Sequence, residues 1–315
     1  MKKLPVYGGQ AVIEGVMMGG KHTTVTAIRR KDGSLEYYEV KKEPTPVLNK
    51  LKKIPFVRGI IGIIESSIVG TKHLNFASEK YDVDPADDAA NEAQETEEKG
   101  KWAMILGVSV IAVLSFLFGK FVLTLVPTLL AEALSFLFPG DVAQILLEGL
   151  FKLLFIFGYI YFISLTPMVK RLFQYHGAEH KVINTFEVRE ALTVQNVKAQ
   201  SRLHYRCGSS FILFTAIISI FLYFLVPVHP FWLRLVSRIL LIPVDLGIAY
   251  EVLQLTNKCR HIPVLRWLGY PGLWLQLLTT KEPKADQIEV AIAAFNEMKD
   301  REARYIASEK QTVVS

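Results

Sequence analysis

The chain is poor in cysteine, with only Cys207 and Cys259 among its 315 residues. Two thiols far apart in the sequence cannot build a disulfide scaffold, so the small disulfide-rich secreted class is excluded. The first residues, MKKLPVYGGQAVIEG, carry two lysines but no apolar stretch, and no cleavable signal peptide is predicted. The early glycines are not followed by G-x-x-x-x-G-K-[ST], so they are interpreted as turn glycines rather than as a phosphate-binding loop.

Apolar sequence is what the chain has in abundance. Hydrophobic residues make up 51% of it, and the mean hydropathy is +0.29. This is too apolar for a soluble domain in which 21% of the residues are charged, and it indicates a membrane protein. The formal net charge of +6 is therefore attributed to basic cytoplasmic loops, and no nucleic-acid partner is expected.

Four apolar runs are long enough to cover the roughly 20 residues that a bilayer core requires. They span residues 102–126, 144–168, 209–228 and 231–255. We therefore expect an α-helical multi-pass membrane protein with about four transmembrane helices, a small β-rich N-terminal module and a C-terminal amphipathic helix. The apolar segment 127–140 is expected along the membrane interface.

The charges of the loops predict the orientation. Residues 127–143 contain no Lys or Arg, whereas residues 169–207 contain seven. By the positive-inside rule the second loop and both termini are cytoplasmic, which predicts a location in the cell membrane. Arg234 and Arg238 then oppose the rule; we expect them to snorkel or to pair with a carboxylate, such as Asp245 seven residues after Arg238 on the same helix face.

Outside the apolar runs, local patterns predict several further elements. Residues 10–18 have the pattern of one strand, and the β-rich runs around Lys31–Ser34 predict a hairpin. The C-terminal helix is expected to pack on the β-rich module. The predicted organisation is a cytoplasmic β-rich module at 1–56, an interfacial helix at 57–80, an acidic disordered linker at 81–100, a membrane domain at 101–256 with a cytoplasmic loop at 169–208, and a cytoplasmic C-terminal region at 257–315.

The segment RLFQYHGAEHKVINTF, residues 171–186, contains His176, Glu179 and His180 in the spacing H-x-x-E-H. Residues at i, i+3 and i+4 share one face of a helix. The same spacing occurs in inverzincins, where two histidines bind zinc and the glutamate acts as a general base. The motif predicts a divalent metal site, with zinc as the expected metal and Glu179 as the catalytic residue. Glu251, at the cytoplasmic end of the fourth run, is the candidate third ligand.

A second ligand set is formed by His204-x-x-Cys207 and Cys259-x-His261, which flank the third and fourth runs. Both pairs are expected at the cytoplasmic face. Two His and two Cys suit a closed structural zinc site. A second part of the His176/His180 site and hydrogen bonding without a metal remain open alternatives.

Two other carboxylates are candidates for function. Asp245 and Glu251 fall within or at the edge of an apolar run, where carboxylates are expensive and commonly functional. Glu14, between Val12-Ile13 and Val16, is interpreted as an exposed strand carboxylate.

Four motifs, GGQAVIEGVMM, YHGAEHK, RCGSSF and PGLWLQLLTTKEP, occur in this order along the chain. Together they resemble the YqhQ-like family of bacterial membrane proteins. The resemblance implies a domain of unknown function described as a predicted metal-dependent enzyme. It singles out these positions: Glu14, His176, Glu179, His180, His204, Arg206, Cys207, Pro271, Gly272 and Gln276.

The leading hypothesis is a metal-dependent membrane enzyme, hydrolytic in type, with its site at the cytoplasmic membrane face. Its partners would be the lipid bilayer and a lipid-linked or membrane-embedded substrate, with a homo-oligomer left open. One alternative is a non-enzymatic scaffold, assembly factor or regulator with a structural His/Cys cluster. The other is a small transporter that uses Asp245 and Glu251.

Overall fold

The computed structural model describes residues 4–42, 46–85 and 98–314. The chain is mostly helical, with a small antiparallel sheet near its N-terminus. Most of the predicted acidic linker, residues 86–97, lies outside the described residues. The sheet consists of four strands paired in chain order: β1 (Gly8–Val12), β2 (Gly15–Gly19), β3 (Thr23–Arg29) and β4 (Leu35–Lys41).

The segment predicted as one strand, residues 10–18, forms two strands instead. The chain reverses at Ile13 and Glu14, so that Val12 pairs with Gly15. Glu14 adopts a φ of 52°, a left-handed conformation that is uncommon outside glycine. The prediction was wrong because a turn of only two residues does not interrupt the apolar pattern from which a single strand was predicted. The hairpin predicted around Lys31–Ser34 is confirmed between β3 and β4.

Helices follow the sheet to the end of the chain. They are α1 (Pro46–Leu51), α2 (Val57–Lys80), α3 (Glu98–Ala133), α4 (Asp141–Ser164), α5 (Pro167–Glu187), α6 (Val194–Ala199), α7 (Gly208–Tyr223), α8 (Phe231–Leu240), α9 (Ile242–Cys259), a 3₁₀ turn (Leu265–Gly269), α10 (Tyr270–Thr279) and α11 (Ala285–Val314).

The four strands, α5, α6 and α11 share one hydrophobic core and are called the sheet unit below. Phe295 and Met298 of α11 are fully buried against Val16 and Val25 of the sheet. Tyr175 of α5 is buried in the same cluster. The predicted packing of the C-terminal amphipathic helix on the β-rich module is therefore confirmed.

The helices α3, α4 and α7–α10 pack against one another and are called the helical bundle below. Apolar clusters join α4, α7 and α10 on one side and α7 and α9 on the other. Helix α2 connects the two parts of the molecule, because its first half packs on α9 and its second half on the sheet.

Several of the predicted spans have different bounds in the structure. Helix α7 has 16 residues, which is short of the roughly 20 that cross a bilayer core. The fourth run is divided into α8 and α9, bent by 46°, and Pro243 in the first turn of α9 accounts for the break. The first run lies within α3, which continues to Ala133, so residues 127–133 belong to the same helix. The interfacial position expected for 127–140 stays a prediction.

By length and composition, one helix among the described residues can cross a membrane. This helix is α4, and the bent pair α8–α9 would be a second if it forms one span. The predicted count of about four spans therefore stays a prediction.

Candidate metal centre

Helix α5 presents the H-x-x-E-H motif on its buried face. Pro167 begins the helix, a position where its missing N–H costs nothing. Glu179 and His180 are buried, and His176 is half-buried beside them. Gly177 lies against the chain that follows α10, where an added Cβ would come within 2.2 Å of the Lys281 carbonyl oxygen. This glycine therefore allows the close approach of another backbone segment.

Both histidines are oriented by backbone carbonyl groups. His176 donates from Nδ1 to the carbonyl of Thr279 at 2.9 Å, and His180 donates from Nδ1 to the carbonyl of Arg202 at 2.7 Å. A carbonyl oxygen only accepts, so Nδ1 carries a proton in both rings, and Nε2 is the ring nitrogen that a metal ion could use. Metal-binding histidines commonly donate from the other ring nitrogen to a carbonyl or carboxylate group in this way.

Cys207 completes a three-residue group with these imidazoles. Its Sγ lies 3.2 Å from His176 Nε2, and one donor atom from each of His176, His180 and Cys207 lies within 4.8 Å of the others. Cys207 is the N-cap residue of α7, where the helix dipole favours negative charge. Cys207 was predicted in a second ligand set, with membership of the His176/His180 site left open, and the structure brings it to the two histidines of α5.

The electrostatics of this group favour a thiolate. Burial raises the pKa of the Cys207 thiol, but the neighbouring His176 and His180 outweigh it and hold the pKa well below its usual range. Burial lowers the pKa of His176, yet the sulfur of Cys207 raises it to about 9. The fold therefore stabilises negative charge on the sulfur, and a thiolate is the form in which cysteine binds a metal.

Glu179 faces the same group from the same helix. Its carboxylate accepts a hydrogen bond from the backbone N–H of Gly9 in β1. Burial raises the pKa of Glu179, and the opposing effect of His180 and His176 does not cancel the rise. A Cβ at Gly9 would approach the Glu179 Cδ to 3.0 Å, so glycine here allows the strand to close over the carboxylate.

Next to the centre, two arginines and one histidine surround the carboxylate of Glu187. Arg206 donates to its carboxylate at 2.5 Å, Arg260 contacts it at 2.9 Å, and His204 Nε2 lies 3.6 Å away. Burial raises the pKa of Glu187, but the nearby His204 imidazole and the charge of Arg206 lower it to about 2. Arg206 and His204 therefore belong to a charged cluster around Glu187, which lies beside the donor group.

Gln276 of α10 ties the segment before Cys207 in place. Its side-chain oxygen accepts from the His204 backbone N–H, and its amide donates to the His204 carbonyl and to Ser210, each at 2.8 Å. Pro271 stands in the first turn of α10, and a Cβ at Gly272 would meet the Ser210 side chain at 2.7 Å. The motif residues of α10 therefore hold α7, and with it Cys207, against the site.

Glu251, the expected third metal ligand, binds other groups of the protein through its carboxylate. Its carboxylate forms an ion pair with Arg58 of α2 and accepts a hydrogen bond from the Phe56 backbone N–H at 3.1 Å. Glu251 is not in the donor group that contains His176 and His180. Spacing along the chain could not reveal this, because Arg58 is 193 residues away.

The expected pairings of Arg238 and Asp245 are also different. Asp245 accepts from Lys120 at 2.6 Å, and Arg238 donates to Glu148 at 3.2 Å. Arg238 and Asp245 would lie on one helix face only if α8 and α9 formed one straight helix. The bend at Pro243 separates the two helices, so the two side chains do not share a face.

The proposed His/Cys set is not assembled as one four-ligand group. Cys207 joins the α5 histidines, and His204 faces Glu187. Cys259 is buried at the end of α9, and His261 accepts a hydrogen bond from Arg260 at the surface.

Glu14 is likewise not an isolated exposed carboxylate. It forms an ion pair with Arg171 and accepts from the Tyr175 hydroxyl at 3.2 Å, which fastens the β1–β2 turn to α5.

The comparisons with known proteins bear on this region. The family described as "Protein of unknown function (DUF1385)" matches residues 54–301. The chain is 62% identical over 299 residues to "Uncharacterized protein YqhQ" of Bacillus subtilis (strain 168), covering 95% of this chain and 94% of that protein. No solved structure matches. The matched residues include the whole donor group, and the chain belongs to the DUF1385 family.

Proposed function

We propose that the helical bundle is embedded in a membrane, as the apolar runs predict, with the sheet unit on the cytoplasmic side. The support is the surface of the bundle. Only a third of the most apolar window of α4 is buried, and Leu154 and Phe162 on that helix are more than half exposed. Exposed apolar surface that is contiguous along a helix is typical of contact with lipid or with another protein.

We also propose that His176, His180 and Cys207 bind one zinc ion. The observation that carries this proposal is the convergence of their three donor atoms within 4.8 Å, with both Nδ1 atoms held by carbonyl groups. Two imidazoles and a thiolate suit zinc, which prefers nitrogen and sulfur ligands. Zinc bound by three protein ligands supplies Lewis-acid activation of water or of a carbonyl group.

Glu179 would take and return a proton in a hydrolytic reaction. Burial raises the pKa of Glu179, and a raised carboxyl pKa is the direction that suits a general acid–base residue. Gly9 holds one orientation of the carboxylate. The substrate would be lipid-linked or membrane-embedded, since α5 begins directly after the apolar helix α4.

Metal analysis tests the zinc proposal. The protein is purified in detergent without a histidine tag, and bound metal is measured by mass spectrometry. We expect about one zinc per chain in the wild type and in Glu179→Gln. We expect its loss in His176→Ala/His180→Ala and in Cys207→Ser. Cys259→Ala is the matched control, because the second buried cysteine is outside the donor group and should keep the metal.

Two results would overturn the zinc proposal. One is a folded protein that holds no metal in any form. The other is loss of metal in Cys259→Ala with retention in Cys207→Ser. If zinc is bound, hydrolysis is tested by incubating the protein with a membrane lipid extract and following products by mass spectrometry. General-base catalysis by Glu179 predicts a rate at least ~100-fold lower in Glu179→Gln at unchanged metal content.

A second candidate function follows from the 3.2 Å contact between Cys207 Sγ and His176 Nε2. A thiol beside an imidazole at a helix N-terminus is also the arrangement of a cysteine nucleophile. In that case the protein carries no metal, and Cys207 is alkylated by iodoacetamide much faster than Cys259. Zinc in the purified protein, together with slow alkylation of Cys207, would exclude this alternative.

A further inference from the structure

Among the residues that the structure describes, the interior of the helical bundle contains more cations than carboxylates. Glu148 accepts from both arginines of α8, and Arg234 also reaches Glu132, whose side chain is 37% exposed at the edge of the bundle. Asp245 is paired with Lys120. The cations in this described part are Lys120, Lys152, Arg234 and Arg238, and the carboxylates are Glu148 and Asp245, with Glu132 at the edge. Even with Glu132 counted, four positive charges face three negative ones.

Lys152 is the cation left over. It is 2% exposed, and its Nζ donates to the hydroxyls of Ser219 and Tyr223, both at 2.8 Å. No carboxylate contacts it among the residues that the structure describes, since Glu148, one turn earlier on α4, is taken by the two arginines. A buried ammonium group without a counter-charge is costly, and its third N–H is available to an acceptor.

Lys152 lines a cavity of about 200 Å³ between α3, α4, α7 and α9. Lys120 is the other charged residue of the lining, and it is already paired with Asp245. Most of the wall is apolar, and it includes Leu123, Ile156, Phe211 and Leu246. Sites for drug-sized molecules occupy about 300–1,000 Å³, so this space admits one slender chain rather than a ring system.

We propose that this cavity binds the end of a fatty-acid chain, with the carboxylate on Lys152. The apolar wall matches a hydrocarbon chain, and the single unmatched positive charge matches the single negative charge of a carboxylate. Ile212 of the lining is 40% exposed, so the hydrocarbon chain would pass it on the way to the surface of the bundle. The inference does not depend on the zinc site, which lies on α5 and at the start of α7.

Ligand charge gives the first test. Delipidated full-length protein in a non-ionic detergent is titrated with dodecanoate and, separately, with its uncharged methyl ester, and binding is followed by native mass spectrometry. We expect one dodecanoate per chain, bound at least tenfold more tightly than the ester. Equal affinity for the two ligands would overturn the proposal, and so would displacement of dodecanoate by millimolar inorganic phosphate.

Two variants locate the ligand. Lys152→Met should weaken dodecanoate binding at least tenfold and leave ester binding unchanged. Ala216→Leu, which fills the lining but keeps the charge, should weaken both ligands. Lys170→Met removes an exposed lysine as a matched control and should change neither. Unchanged dodecanoate binding in a folded Lys152→Met protein, or in Ala216→Leu, would contradict the assignment.

Discussion

The sheet unit and the helical bundle differ in the largest side chains that they bury completely. In the sheet unit, Phe295 and Met298 are fully buried. In the bundle, Arg234 and Arg238 are fully buried, while Phe162 is 69% exposed. Large apolar side chains inside are typical of protein parts in water. Charges inside and apolar groups outside are expected where the surroundings are apolar, in agreement with the membrane location proposed for the bundle.

The donor group lies where these two parts meet. His176 and His180 are on α5 of the sheet unit, and Cys207 begins α7 of the bundle. Arg202 and Thr279, whose carbonyls orient the imidazoles, lie in the segments on either side of that junction. The geometry of the site therefore depends on how the two parts dock.

The largest expected effect concerns the charged interior of the bundle. Glu148→Leu leaves two buried arginines without their shared carboxylate. Removing one partner of a buried ion pair costs about 3–5 kcal/mol, so we expect the variant to unfold in detergent well below the wild-type temperature.

The control for this experiment is Glu132→Gln. Its carboxylate is 37% exposed and contacts only one of the two arginines, so the loss of stability should be much smaller. Comparable melting temperatures for Glu148→Leu and wild type would show that the bundle interior tolerates unpaired charge. That result would contradict the view that the buried arginines need Glu148 as a partner.

Two matched surface substitutions test whether lipid or water surrounds the helical bundle and the sheet unit. Leu154 on α4 and Val188 after α5 are 56% and 55% exposed. Leu154→Arg places a charge on the proposed lipid-facing surface, which costs about 2.5–3.5 kcal/mol near the centre of a membrane helix. Val188→Arg faces water and should change stability by less than about 0.5 kcal/mol.

Membrane fractionation and melting temperature measure both variants. Loss of membrane insertion or stability is expected only for Leu154→Arg. Equal behaviour of the two variants would mean that the exposed face of α4 is in contact with water.

The smallest expected effect is a pH dependence located at the sheet. His73 of α2 is fully buried between the hydroxyls of Thr24 and Thr26, at 2.9 and 2.7 Å. Burial, with smaller contributions from Lys72 and Lys42, lowers the pKa of His73 to about 4. The unfolded chain takes up a proton near pH 6.5 and the folded protein does not, so stability is full above pH 6.5 and falls as the pH decreases toward 4.

Melting temperatures at pH 7.5 and 5.0 test this effect. Wild type should lose about 1–2 kcal/mol of stability over this interval from His73, at about 1.4 kcal/mol per pH unit below 6.5. In His73→Gln this contribution is absent, so its decrease should be smaller. An equal decrease in both proteins would assign the pH dependence to other groups.

Local patterns in the sequence predicted the parts of the fold that local interactions determine. The helix at 57–80, the hairpin around Lys31–Ser34 and the C-terminal amphipathic helix all follow from periodicity and turn composition. The helix break at Pro243 and the turn at Glu14 were missed. In both cases one or two residues redirect the chain without changing its apolar pattern.

The sequence by itself determined that His176, Glu179 and His180 share a helix face, because helical spacing of 3.6 residues requires it. It also contains the four motifs that resemble the YqhQ-like family, and the comparisons show that family. Only the tertiary structure decided that Cys207 and not Glu251 joins the two histidines, and that Gly9 holds Glu179. Gly9 comes from β1 and Cys207 from the start of α7, and their sequence separation from α5 leaves no local pattern. Packing of β1 on α5 brings Gly9 to Glu179, and docking of the sheet unit on the bundle brings Cys207 to the histidines.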